Sequence, residues 1–342
     1  MSIFKNSMAV RRFGVGDGAD ISTADDFVEQ LEVGRFREIE VGGQVSSGFV
    51  PPANPFSNKD CDVMAYHIEG GWYVGAFRID SKNIPTATLR RVAKAEARAA
   101  ADKEGATFVS KARIKETTER VKLRMLENTV AREKVVPFYF NVDTYEGYFL
   151  DSSKALFEKF LDLFIRAVGV DLYERPATDE LEPGAFLTWL WWDTESNSAM
   201  THSRDNKLVM ASFGDKVWVG RNDSSVSVNG DVEEARLAVS KGGLVTKAEL
   251  FMGEGDQRTC VFDCQGFFPK VKFSKEELLG TNFSDDDGNM FLVLGAIQDL
   301  FADMEYWIER YRMTKDEGRG LTDEIRRVWG RGDFCSRGFE DI

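Results

Sequence analysis

Residues 84–105 read IPTATLRRVAKAEARAAADKEG, and residues 107–132 read TFVSKARIKETTERVKLRMLENTVAR; the fold is read outward from this pair. Pro85 suits a first helical position, where its missing N–H has no partner to lose. The Ala-rich run behind it has high helix propensity and predicts a helix to about Asp102. Lys103-Glu104-Gly105 interrupts it, a second helix is expected from about Thr107 to Arg132, and Pro137 ends the pattern. Two helices of comparable length joined by a short glycine-containing turn make an antiparallel hairpin.

At about 100° per residue, Leu89, Ala93, Ala97 and Ala100 share one face of the first helix, and Arg90, Lys94 and Arg98 share another. The small alanines allow close approach of a partner helix. In the second helix Ile114, Val121 and Met125 form one apolar stripe, a packing or dimer surface. Ala112, Leu123, Leu126 and Val130 form another on nearly the opposite side. Lys111, Lys115 and Lys122 occupy one gap between the stripes, and Arg113, Arg120 and Arg124 the other. A helix with two apolar stripes is expected between two surfaces, its hairpin partner and either the protein body or a second subunit.

The whole chain carries a formal charge of −13. From Lys82 to Lys134, however, 14 Lys and Arg face 7 Asp and Glu, a local +7 that leaves −20 for the remainder. Local patches set the field that a ligand meets, so the average does not exclude a polyanionic partner. Two readings of the patch stay open. Glu116, Glu119 and Glu127 could pair with these bases on a solvated surface. Alternatively, Arg90, Lys94, Arg98, Lys111, Arg113, Lys115, Arg120, Lys122 and Arg124 bind duplex DNA through its phosphates, without sequence preference. No zinc-finger, helix-turn-helix or aromatic-basic ribonucleoprotein motif points to base reading.

The flanking segments alternate strands and helices. A strand is expected at 7–13 and a short helix from Thr23 to Leu31, with acids in its first turn. Residues 48–52, ending Pro51-Pro52, are expected to be irregular because prolines remove ladder donors. Hairpins are expected at 63–79 and 135–150. The spacing of Leu156, Phe160, Leu163, Phe164 and Ala167 predicts an amphipathic helix over 153–168. After a polar linker at 171–184 come strand candidates at 208–212, 216–220, 245–252, 258–263 and 268–273, a short helix at 231–239, and a long helix from Phe291 to about Arg312. The pattern is α+β, with mixed, mostly antiparallel sheets, packed helices and a projecting basic hairpin. Its expected units are an N-terminal region (1–83 with 135–170), the hairpin (84–134), a C-terminal region (171–312) and a partly mobile tail (313–342).

The chain has 342 residues, 43% of them hydrophobic, which is enough apolar material for a sizeable core. No apolar run approaches the roughly 20 residues of a membrane span. The first residues lack a signal peptide's apolar core, so the expected location is cytoplasmic. Cys61, Cys260, Cys264 and Cys335 are too scattered for a disulfide framework and, with only His67 and His202 beside them, for a structural zinc site. They are expected as reduced thiols. No cofactor or metal is expected.

Several short motifs, in order, resemble the RdgC family of recombination-associated proteins. Phe4-Lys5-Asn6 resembles its opening, and Gly48-Phe49-Val50-Pro51-Pro52 its Gly-Trp-Val-Pro-Pro. Ile84-Pro85 stands where that family enters a charged helical hairpin, and Val142-Asp143-Thr144 with Gly147 where the chain leaves it. Leu187-Thr188-Trp189-Leu190, Val245-Thr246-Lys247-Ala248-Glu249-Leu250 and Val271-Lys272-Phe273 are similar to further family motifs, so the match runs over roughly 1–310. The resemblance implies a ring-shaped homodimer with duplex DNA threading a positively lined hole. It also implies nucleoid association and antagonism of a RecA-type recombinase. The family's late-hairpin aromatic, at the gate between subunits, has no counterpart in Thr129-Val130-Ala131-Arg132.

The same family has been labelled an exonuclease, which is the rival reading; a protein-interaction scaffold is the third. Metal-dependent nucleases need converging carboxylates. The densest acidic run, Asp285-Asp286-Asp287-Gly288-Asn289, lacks EF-hand spacing and reads as an exposed turn. Asp223 and Asp231 flank polar loops without a motif. Gly14-Val15-Gly16-Asp17-Gly18 lacks the Gly-Lys-Ser/Thr ending of a phosphate loop. His67 lies in a strand-like segment and His202 in a polar loop. Trp189, Trp191 and Trp192 read as core. No catalytic residue is assigned.

Overall fold

The computed structural model describes residues 7–15, 24–56, 63–178, 181–182, 184–197, 200–204, 207–221, 224–229, 232–252, 258–273, 286–317, 325 and 327. The first half runs β1 (Ser7–Val15), α1 (Ala24–Val33), β2 (Val45–Val50), β3 (Ala65–His67), β4 (Trp72–Ser81), α2 (Thr86–Lys103), α3 (Lys111–Asn128), β5 (Arg132–Asn141), β6 (Glu146–Phe149), α4 (Lys154–Val168) and β7 (Leu172–Glu174). The second half runs α5 (Ala185–Asn197), β8 (Met200–Arg204), β9 (Lys207–Arg221), β10 (Ser224–Asn229), α6 (Val232–Ser240), β11 (Leu244–Met252), β12 (Arg258–Asp263), β13 (Phe268–Phe273) and α7 (Asp286–Glu317). The fold is α+β, and every pairing between the named strands is antiparallel.

Strand β1 joins the two halves. Its start, Ser7 to Val10, pairs with β13, whereas Arg11 to Gly14 pair with β6 and Phe13 to Val15 with β7. The pairing with β13 carries a register shift between Met8 and Val10, just before the strand changes partners at Arg11. The order is β10-β9-β11-β12-β13-β1-β6-β5-β4-β2, with β3, β7 and β8 attached beside it.

Phenylalanine fills the first half's core. Ser153 caps α4 by accepting a bond from the Leu156 amide at 3.3 Å, and the helix buries Leu156, Phe157, Phe160 and Phe164. Phe160 is fully buried, its ring 4.8 Å from Phe149, 5.0 Å from Phe138 and 5.3 Å from Phe13. Across the sheet, Gly48 passes the Phe36 backbone so closely that an added Cβ would lie 2.1 Å from its Cα.

The second half packs α5 and α7 beside its strands. Phe186 and Trp189 bracket Tyr311 at 5.8 and 5.4 Å, and the Thr188 hydroxyl accepts the Val245 amide at 2.9 Å while donating to the Gly184 carbonyl. Helix α7 also holds the first half. Phe301 stacks on Tyr148 at 5.3 Å, the Tyr139 hydroxyl donates to the Met290 carbonyl at 3.0 Å, and Arg12 pairs with both Glu146 and Glu305.

Several sequence expectations change. Val45–Val50 is strand, pairing with β4 through Val50, because the missing donors of Pro51 and Pro52 matter only beyond it. The second hairpin helix stops at Asn128: Thr129 is extended (φ −92°, ψ 127°), and Arg132 already belongs to β5. The segments 208–212 and 216–220 merge into the single strand β9, which absorbs the break by register shifts against β11. His202 lies in β8, not in a loop, and Asp286 begins a helix in place of the expected turn. Of the tail beyond Glu317, Ile325 and Arg327 are described; both are helical and Ile325 is buried.

Candidate nucleic-acid interface

Helices α2 and α3 form the basic hairpin. Gly105, at φ 69°, makes the left-handed turn that ends α2, and the Ser110 hydroxyl accepts the Arg113 amide at 3.2 Å to start α3. Ala93, Ala97 and Ala101 are the buried residues of α2; Thr117, Val121 and Leu126 are those of α3. Alanine was the right signal for close packing, although Ala101 takes the buried place expected of Ala100. Within the expected stripe, Val121 is buried and Ile114 and Met125 are half-buried.

The second stripe is covered only at the hairpin's root. Leu126 is buried there, and its carbonyl accepts the Lys82 ammonium at 2.9 Å. Leu123 lies beside Gly42, where an added Cβ would be 3.2 Å from its Cδ2, yet stays 50% exposed, while Ala112 is exposed and Val130 is 91% exposed beyond the helix end. Phe108 sits in the turn between the helices, 76% exposed.

Arg90, Lys94, Arg98, Lys111, Lys115, Arg120 and Arg124 are exposed, and Arg113 and Lys122 half-buried. Three of the nine are held by acids. Arg98 pairs with Asp102 at 3.1 Å within α2, Arg124 reaches across to Glu96, and Arg113 forks onto both oxygens of Glu104 at 2.5 Å. The bond from Arg113 lowers the Glu104 carboxyl below the ordinary glutamate range; the bond from Glu96 raises the Arg124 guanidinium further. Among the described residues, Arg90, Lys94, Lys111, Lys115, Arg120 and Lys122 form no ion pair within 4 Å. Arg91 belongs with them: it is exposed and likewise unpaired, but the i, i+4 row through Arg90, Lys94 and Arg98 passes it by.

At the root, the ends of β4 and β5 are locked by a buried cation. The Arg78 guanidinium binds both oxygens of Asp80 and one of Glu133, with Phe36 and Phe56 at 4.4 and 5.3 Å. Since β4 leads into α2 and β5 leaves α3, this cluster sets where the hairpin emerges.

The other candidate sites yield no constellation. Among the described residues, no three His, Cys, Asp or Glu side chains are grouped to hold a metal ion. Cys260 and Cys264 are free thiols; burial raises the first strongly and pushes the second up to about 11. Trp189, Trp191 and Trp192 are buried in the core. His67 is exposed against Tyr73, and Gly14 and Val15 belong to β1. Residues 16–18, Cys61, Asp223, Asp231, Asp285 and Cys335 lie outside the described residues. No described helix is long and apolar enough to cross a membrane.

No curated protein matches the chain in a sequence comparison. The family model described as "Putative exonuclease, RdgC" matches residues 3–308 of the 342, and the chain therefore belongs to the RdgC family.

Proposed function

We propose that this protein is a non-catalytic, sequence-independent double-stranded DNA-binding protein that modulates RecA-type homologous recombination in the cytoplasm, at the nucleoid. The observation that carries this reading is the group of hairpin lysines without acid partners among the described residues, Lys94, Lys111 and Lys115 exposed and Lys122 half-buried, in a chain whose remainder is acidic. Each such cation can neutralise a phosphate and release a counterion, whatever the base sequence.

A homodimeric ring fits the charge distribution: hairpin cations face the enclosed duplex while the acidic body stays outside and repels other polyanions. Phe108, exposed in the hairpin turn, supplies the aromatic contact for a second subunit that Thr129-Val130-Ala131 lacks. In this reading 1–83 with 135–170 and 171–312 form the wall, 84–134 the contact element and 313–342 an appendage.

The description of the family favours a second reading, an exonuclease. A gel shift of linear and covalently closed duplex over a salt series, with Mg²⁺ added or withheld, separates the two. The DNA-binding reading expects both substrates to shift at low salt and to be recovered intact after long incubation with Mg²⁺. Absence of any shift at low salt overturns it. Shortening of the linear duplex alone, in Mg²⁺ only, establishes the exonuclease instead.

A further inference from the structure

We infer that phosphate contact is confined to one face of the hairpin, formed by Arg91, Lys94, Arg98, Lys111, Lys115 and Lys122, and that Glu96 and Glu104 neutralise the opposite face. This rests on the duplex-binding reading above and specifies its surface.

The argument is geometric. Taking the buried positions as each helix's inner face, Arg91, Lys94 and Arg98 are rotated from Ala97 by about 60–120° in one sense. Lys111, Lys115 and Lys122 are rotated from Val121 by about 80–120° in the same sense. In antiparallel helices with their inner faces opposed, side chains rotated in the same sense fall on the same side of the pair. Glu96 and Arg124 are both rotated the other way, and they are bonded to each other, which checks the construction independently.

The two sides differ sharply in charge. The first carries those six cations and a single acid, Asp102. The second carries Lys103, Arg113, Arg120 and Arg124 against Glu96, Glu104, Glu116 and Glu127, and so is balanced. Glu119 lies on the outer side of α3, between them. The hairpin's excess of cations is therefore one-sided. From Lys111 to Lys122 the basic side extends about 16 Å, close to five base-pair steps of duplex. A balanced face releases no net counterions and adds nothing to affinity.

Fluorescence anisotropy with a labelled 30-base-pair duplex, using the full chain, tests this. Lys94→Gln/Lys111→Gln/Lys115→Gln/Lys122→Gln is expected to weaken binding at least tenfold and to flatten the log–log salt slope by roughly 3 to 4. Arg113→Gln/Arg120→Gln/Arg124→Gln is expected to stay within about threefold of the parent, and Glu96→Gln/Glu104→Gln to bind more tightly. Arg120→Gln against Lys115→Gln repeats the comparison without breaking any ion pair, should a multiple variant lose its fold. Equal weakening by the lysine and arginine sets overturns the one-face inference but leaves the duplex reading intact. A parent that binds duplex unaffected by either set overturns the hairpin as the contact element.

Discussion

Arg78 and Asp80, two residues apart on β4, form a bidentate ion pair that is almost fully buried, with Nε–Oδ1 at 2.8 Å and Nη2–Oδ2 at 2.7 Å. Residues two apart on a strand point to the same face, which allows the pair. Burial makes each charge depend on the other. Asp80→Ala should lower stability by about 3 kcal/mol or more, because it leaves the buried guanidinium with the exposed Glu133 and the Pro55 carbonyl. Glu133→Gln should cost under about 1 kcal/mol. Urea denaturation of both variants checks this; comparable losses would mean that the buried pair has no special weight.

Phe160 lies where α4 meets β1, β5 and β6, and its ring contacts also reach Phe49, Phe77 and Phe164. Phe160→Ala should destabilise the protein by about 3–5 kcal/mol. Val41→Ala, at a turn residue 89% exposed, should leave the melting temperature of the chain nearly unchanged. Thermal melts of the two variants compare core and turn directly.

Glu104 titrates below its ordinary value because Arg113 donates to it. A depressed acid contributes stability that is fully present above its unfolded pKa and is lost as pH falls through the folded one. The turn should therefore loosen only below the usual glutamate range, about 4.3. Carboxyl-carbon NMR titration should give a low value for Glu104 that returns to normal in Arg113→Gln; a normal value in the parent would remove this link.

Burial and the neighbouring Asp263 push the Cys264 thiol up to about 11, and Cys260 is raised still further. The thiolate is the reactive form, so near neutral pH both should react much more slowly than an unperturbed thiol. With Cys61 and Cys335 replaced by serine, alkylation of Cys264 should accelerate about tenfold per pH unit up to its pKa. A rate that levels off near pH 8.5 would contradict the assignment.

Local patterns were readable from sequence; pairings between distant segments were not. The apolar spacing from Leu156 to Ala167 marks α4 because every interaction it encodes lies within a few residues. The hairpin and its rows of charge were visible for the same reason. Strand β2 was not, since Val45–Val50 becomes a strand by pairing with β4, and the two following prolines masked it. Nor could spacing show which cations remain free. Glu96 and Arg124 meet only because of how α2 and α3 are rotated about each other, a relation that no run of residues contains. The Arg78 cluster likewise gathers residues from Phe36 to Glu133.

The most direct test of the central claim, that a net-acidic chain binds duplex phosphates through this hairpin, is the salt dependence of equilibrium binding to two duplexes of unrelated sequence. The account predicts equal affinities for both and a linear fall of log K with log salt, with a slope of roughly −5 per bound protomer. No binding at low salt, or binding that does not weaken as salt rises, would contradict it.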